Sequence, residues 1–270
     1  MELKNAYTVL DAAAPKRYSD EFCEKYGAYD NSGVLVDAGE EIRGALFSLD
    51  FSFAAIEEAK KRGANLLVTH HPAIYAKIGE IQAEDPLGGK LVECIKNGIS
   101  VVSMHLNLDA AKEGVDESLS LAVCAAASSG KTDEKIMLPL LDEGVGYGRV
   151  YTLTSPAAFQ VFLQNFKAEL CAENLSIFGE RTNPVQKVAS FCGAGGDEEA
   201  VDFAARNGAD TLISSDFKHH VILYAVEKGL RVIAPTHYAS ENYGFKKYYE
   251  KIRKQLSFLP CFYFEDERLL

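Results

Sequence analysis

Apolar and polar positions along this chain repeat one pattern: a short, mainly apolar run, a turn, then a segment with helical spacing of apolar residues. Residues 65–69 read as a buried strand that ends in His70-His71-Pro72. Residues 99–104 form a second such run, ending at His105. Residues 188–192 lead into Gly193-Ala194-Gly195-Gly196, residues 211–215 into Asp216, and residues 230–234 into Pro235-Thr236-His237. Between them the spacing predicts helices over 53–62, 87–97, 198–207 and 219–228, each followed by a glycine (Gly63, Gly98, Gly208, Gly229) that accepts the left-handed cap. Asp85-Pro86 supplies an N-cap and first-turn pair for the second helix. Strand–helix alternation predicts an α/β class with helices on both faces of central sheets. Residues 128–135 are polar and read as a linker, after which Gly144 to Arg149 leads into a new strand and helix. The expected division is therefore residues 1–127 plus 230–270 as one α/β domain and 128–229 as a second, the C-terminal helix and strand returning to the first.

Composition narrows the function. The chain has 270 residues, of which 47% are hydrophobic and 25% charged, so it can bury a core large enough to fold. Its 28 Lys and Arg against 39 Asp and Glu give a net charge of −11, which argues against general nucleic-acid or anionic-membrane binding. The densest basic stretch, from Lys246 to Lys254, is interrupted by Tyr248, Tyr249 and Glu250 and reads as a helix face. An acidic chain still binds a small phosphorylated molecule where a metal supplies local positive charge. There is no apolar run long enough for a membrane span, and Met1-Glu2-Leu3-Lys4-Asn5 does not begin a secretory signal. The six cysteines form no C-x-x-C pair, so they read as buried free thiols of a reducing cytoplasm.

Five of the six histidines stand at the ends of predicted strands or in the first turn of the next helix. In α/β sheets the ligand crevice lies outside those carboxyl ends. His70-His71 could serve two neighbouring metal ions; the bland reading makes one a core histidine and the other an exposed one. In His105-Leu106-Asn107-Leu108-Asp109 a carboxylate follows a histidine by four residues, as a ligand or as a helix cap. His237 and Glu241 share one helical face, as ligands or as a surface ion pair with Ser240 capping. Together these pieces offer the donors of a two-metal carboxylate–imidazole site. Two divalent ions against Asp109 and Glu241 leave a net +2, which favours an anionic, phosphorylated substrate. His105 and His220 are candidate proton carriers, and hydrogen-bonded supporting roles suit both equally well. Asp216 reads best as a helix cap. The turn Gly193 to Gly196 reads as a tight turn or pocket wall, because Asp197, Glu198 and Glu199 behind it repel phosphate. No Walker A or G-x-S-x-G sequence is present.

Several fragments taken together resemble the YbgI-like (Nif-three-like) dinuclear-metal family, many of whose members carry the name GTP cyclohydrolase I type 2 homologue. They are Asp30-Asn31-Ser32-Gly33, Thr69-His70-His71-Pro72, His105 to Asp109, Gly146-Tyr147-Gly148-Arg149, Gly193-Ala194-Gly195, Ser215-Asp216 followed by His220, and His237 to Glu241. The resemblance implies two similar α/β domains, a homohexamer, and two divalent metal ions per chain, of zinc, iron, manganese or a similar metal. It also implies His70, His71, Asp109, His237 and Glu241 as their ligands. Leu106 and Thr236 stand where the family usually has Thr and often has Gly. The function expected is a metal-dependent hydrolase acting on a phosphorylated or nucleotide-like substrate. The alternative is a non-catalytic metal-binding scaffold or regulatory interaction protein.

Overall fold

In the computed structural model, which describes residues 1–269, two helices open the chain: α1 (Leu3–Ala13) and α2 (Lys16–Tyr26). There follow β1 (Gly33–Val36), β2 (Ala45–Ser48), α3 (Phe53–Arg62), β3 (Leu66–Thr69), α4 (Pro86–Lys96), β4 (Ser100–Ser103) and the short α5 (Leu106–Ala110). Next come α6 (Val115–Ala126), β5 (Lys131–Pro139), β6 (Gly146–Ala157), α7 (Phe159–Glu169), β7 (Ser176–Phe178) and β8 (Val185–Ser190). The chain continues through α8 (Glu198–Arg206), β9 (Thr211–Ile213), α9 (His219–Glu227), β10 (Arg231–Ala234), α10 (His237–Gln255) and β11 (Cys261–Phe264). The α/β class is as expected. The predicted helix signals hold locally: Ser52 accepts from the Ala55 amide to start α3, Gly63 closes it in the left-handed region at φ 69°, and Asp85 caps α4.

One unit comprises Met1–Ala111 with Phe245–Glu267. Its sheet has the order β1-β4-β3-β2-β11, with β11, β2, β3 and β4 parallel and β1 antiparallel at the edge. Leu46, Leu67 and Val101 pack on one side with Ala55, Ile56 and Ala59 of α3 and Leu91 and Cys94 of α4. Phe47, the next residue along β2, points the other way and meets Tyr249 at 5.3 Å and Phe245 at 6.3 Å between ring centroids. Both faces of a parallel sheet are thereby buried, which is why its strands read as continuous apolar runs.

The other unit runs from Lys112 to Gly244 and also takes in Arg268 and Leu269. Its sheet has the order β5-β6-β8-β9-β10-β7; β8, β9 and β10 are parallel and the remaining pairs antiparallel. Ala189, Leu212 and Val232 pack with Ala200, Val201 and Ala204 of α8 and Val221 and Ala225 of α9. These units differ from the expected division at 127 and 230. The helix α6 packs against α7, β6 and β8, so it belongs with them. The strand β10 pairs with β9 and β7 in the second sheet, and the return to the first unit falls inside α10 at Phe245, where no turn or composition change marks it. The predicted linker 128–135 is also corrected: residues from Lys131 onward form β5, an exposed edge strand whose polar side chains face water.

Inside the second unit lies a fully buried ion pair. Arg149 Nε is 2.9 Å from Asp116 Oδ2 and Arg149 Nη1 is 3.1 Å from Glu134. Asp116 also accepts from the backbone amides of Gly148 at 3.1 Å and Cys192 at 3.3 Å. Arg149 and Gly148 close the Gly-Tyr-Gly-Arg motif, whose Tyr147 hydroxyl donates to the Cys192 carbonyl. The motif thus braces the turn after β8 from two sides.

The six thiols are all free, but not all are buried: Cys94, Cys124 and Cys192 are, Cys23 and Cys261 are partly so, and Cys171 is exposed. Burial pushes the Cys94 thiol up to about 12 and the Cys261 thiol up to about 11. In a thiol titration of native protein at pH 8, Cys171 is expected to react first. Cys94, Cys124 and Cys192 should react only after denaturation. A Cys171→Ser variant that keeps the fast phase would contradict this.

Candidate metal centre

In the first unit, β3 is a central parallel strand, and its carboxyl end delivers His70 and His71. Both their backbone amides donate to the Leu49 carbonyl just past the end of β2, at 3.1 and 3.0 Å, which extends the pairing into the turn. Thr69 Oγ1 donates to the His71 carbonyl at 2.8 Å. The neighbouring β4 ends at Ser103, Met104 follows, and His105 stands at the N-cap position of α5, which carries Asp109 inward. Asp109 lies within this helix, 5% exposed, and so is not the cap that the bland reading allowed.

The side chains are oriented by oxygen acceptors. His70 is fully buried, and its Nδ1 lies 2.8 Å from the Met104 carbonyl. A carbonyl only accepts, so Nδ1 carries the proton and Nε2 presents its lone pair, 3.4 Å from Asp109 Oδ1. His71 Nδ1 lies 2.7 Å from Asp50 Oδ1, and His105 Nδ1 lies 2.7 Å from Asp30 Oδ1. Burial alone would push the Asp30 carboxyl up. The hydrogen bond and charge of His105, with the hydroxyls of Ser19 and Ser32, outweigh it and hold Asp30 well below the usual carboxylate range. His70, His71 and His105 each offer a ring nitrogen within 4.8 Å of the others, so the structure adds His105 to the histidine cluster as a possible ligand.

In the second unit the same device recurs. Thr236 Oγ1 accepts from the Ala239 amide at 3.1 Å and starts α10. His237 and Glu241 then share its first face, with Nε2 to Oε2 at 3.1 Å, and Glu241 is 3% exposed, which is not a surface ion pair. Asp216 is not the cap of α9, where Lys218 stands. It adopts a left-handed backbone at φ 53° and sets its Oδ2 2.5 Å from His237 Nδ1. Gly193, at φ 55°, touches this pair: a Cβ there would fall 2.1 Å from Glu241 Oε1. Its amide donates to Ser240 Oγ at 3.1 Å, and its carbonyl accepts from Ser214 and Ser215. The glycine turn is therefore a wall against Glu241. His220 is not brought to this group. It stands exposed at the start of α9 and pairs with Glu198 at 2.8 Å, which makes it a surface residue rather than the expected proton carrier.

Four histidines, His70, His71, His105 and His237, thus turn Nδ1 toward a carbonyl or carboxylate and Nε2 away from it. That is how proteins prepare imidazoles as metal ligands, since the outer partner fixes tautomer and ring orientation. Donors of this type fit zinc, iron or manganese, so these His, Asp and Glu groups could hold a metal ion. Asp50, Asp30 and Asp216, which are 21, 75 and 21 residues from the histidines they orient, have no sequence signal that marks this role. Asp50→Asn and Asp216→Asn are each expected to weaken zinc binding by about 10–100-fold. Competition with a chromophoric chelator checks this, and unchanged affinity in both would remove the positioning role.

Among the described residues no helix is long and apolar enough to cross a membrane. A family model described as Duf34/NIF3 (NGG1p interacting factor 3) matches residues 1–265. The chain is 30% identical over 257 residues to a "GTP cyclohydrolase 1 type 2 homolog" of Clostridium perfringens, covering 95% of this chain and 93% of that one. It superposes on reduced HcgD from Methanocaldococcus jannaschii with TM-score 0.80 and 28% identity, covering 98% of each chain. It also shares the fold of ybgI, a structural-genomics protein of unknown function, with TM-score 0.80, 21% identity and full coverage of both. On the strength of the match along nearly its whole length, this chain belongs to the Duf34/NIF3 family.

Proposed function

We propose that this protein is a metal-dependent hydrolase with a dinuclear centre held by His70, His71, Asp109, His237 and Glu241, acting on a phosphorylated or nucleotide-like substrate. The observation that carries the reading is the common orientation of the imidazoles, each Nδ1 tied to an oxygen acceptor. The name GTP cyclohydrolase 1 type 2 homolog, borne by the Clostridium perfringens relative, supports the substrate class. Divalent ions bound there would supply Lewis acidity and bring the pKa of water toward 7. The chain's own residues do the rest. Asp50 and Asp216 hold His71 and His237 in register, and the Met104 carbonyl does so for His70. His105, fixed by Asp30 and partly open to solvent, holds or moves a proton at Nε2. The protein acts in the cytoplasm, where its free thiols persist, and assembles as a homohexamer, which light scattering of the purified chain tests.

The deciding experiment offers zinc, iron or manganese to the purified chain and assays hydrolysis of GTP and simple phosphoesters. Glu241→Ala is expected to abolish metal binding and turnover together. Full activity in metal-free Glu241→Ala protein would overturn the reading. The family description as an interacting factor favours a second one, a metal-binding interaction protein without catalysis. Stoichiometric metal with no turnover of any offered substrate would favour it.

A further inference from the structure

Two tyrosines beside the histidine cluster are neither core nor scattered surface residues. Tyr29 and Tyr75 are 50% and 51% exposed, and yet they are tightly arranged. Their rings meet edge to face, with centroids 5.4 Å apart and planes at 86°. The Tyr75 hydroxyl donates to the Tyr29 carbonyl at 3.2 Å. The backbone before Tyr75 is pinned as well, because the Asn31 side-chain amide donates to the Ile74 carbonyl at 2.6 Å. Fixing two half-exposed aromatic side chains costs conformational entropy without the usual return from burial. Such an arrangement is suited to a ring that has yet to arrive.

Position gives that ring its place. The Tyr75 ring lies 6.3 Å from the His105 ring, at 88° to it. His105 in turn lies 5.2 Å from His70 and 5.9 Å from His71. A flat ring lying on Tyr75 would therefore sit beside the histidine cluster. Only Ala73 and Ile74 separate Tyr75 from the His-His-Pro turn, so the segment that presents the imidazoles also presents the tyrosine.

We propose that Tyr75, braced by Tyr29, is the stacking platform for a planar heteroaromatic ring in the substrate, of the size of a purine base. This rests on the metal-centre reading above and makes it more specific: the phosphorylated substrate carries a flat base. Aromatic stacking recognises any π-face and needs no pattern of base-edge hydrogen bonds.

The test measures binding of two probes to zinc-loaded, full-length protein by calorimetry: guanosine 5′-monophosphate, and ribose 5-phosphate, which lacks the ring. Wild-type protein is expected to bind the nucleotide more tightly. Tyr75→Ala and Tyr75→Leu are expected to weaken the nucleotide about 5- to 100-fold, the range for loss of one base–aromatic stack. Ribose 5-phosphate binding should be unchanged in both. Tyr75→Phe, which keeps the ring and loses the hydroxyl, should stay near wild type. Tyr75→Leu retains bulk, and zinc content measured on every variant reports that the fold and the metal site persist. Equal affinity for the two probes, or a nucleotide affinity indifferent to Tyr75→Ala and Tyr75→Leu, overturns the platform and leaves the metal reading standing. Failure of zinc-loaded wild type to bind either probe overturns the phosphorylated-substrate reading and the platform with it.

Discussion

Asp116→Ala is expected to destabilise the second unit by about 3–5 kcal/mol, the range for removing one partner of a buried ion pair. In a thermal melt that corresponds to a fall of roughly 6–20 °C for a unit of this size. Arg149 is fully buried, and Asp116 is its closest charged partner at 2.9 Å. Without that carboxylate the guanidinium keeps Glu134, which is partly in water, and the Gly146 carbonyl at 3.3 Å. The amides of Gly148 and Cys192 lose an acceptor at the same time. Asp116→Asn preserves volume and an acceptor oxygen and should fall between wild type and alanine. Replacing both Asp116 and Arg149 with apolar residues of similar size should recover much of the loss, because the penalty comes from a buried charge left unpaired. A loss below about 1 kcal/mol for Asp116→Ala in urea denaturation would show that the pair is not energetically important. Cys192 immediately precedes Gly193, so the same substitution loosens the turn behind Glu241. A fall in metal affinity beyond the loss of stability is the further sign to look for.

Stripping metal from the protein is the second large effect. A ligand that binds only the folded chain stabilises it by about 4 kcal/mol for each site held at a thousand times its dissociation constant. Chelation is therefore expected to lower the melting temperature clearly, and zinc should restore it. The reason is local. His70 and Asp109 are both buried, 3.4 Å apart, and Glu241 is buried against its own helix. These are polar groups placed where burial is unfavourable unless something charged offsets it. In Asp109→Ala the difference between chelated and zinc-loaded protein should shrink. A melting temperature indifferent to chelator in the wild type would remove the metal centre from consideration.

The core strands of both units were legible because parallel strands buried on two faces leave short apolar runs such as 66–68 and 212–213. The edge strand β5 was not, since its exposed residues Thr132 to Lys135 look like a linker. The opening helices were missed too: α2 is strongly polar and buries little beyond Ser19 and Phe22. At the site, His70 and His71 could be picked out because they follow a strand end, and Asp109 and Glu241 because each stands four residues after a histidine at the start of the next helix. The carboxylates that orient the imidazoles could not be assigned that role, because each is distant in sequence from its histidine: Asp50 from His71 by 21 residues, Asp30 from His105 by 75 and Asp216 from His237 by 21. Asp50 does follow the end of β2, so a search of every strand end for carboxylates as well as histidines would have found it. The ion pair Asp116–Arg149 could not be read from the sequence, since its members are 33 residues apart.

The first unit is interrupted in sequence, and this sets an order on synthesis. Apart from Arg268 and Leu269, which also group with it, the second unit is the stretch from Lys112 to Gly244, whereas the first needs Phe245, Tyr249 and β11, which are made after that stretch. While they are still being made, one side of Phe47 and the outer edge of β2 stay uncovered. The nascent chain thus has a waiting period in which residues 1–111 stay open until those after 244 have been made, and chaperone dependence during translation should concentrate there.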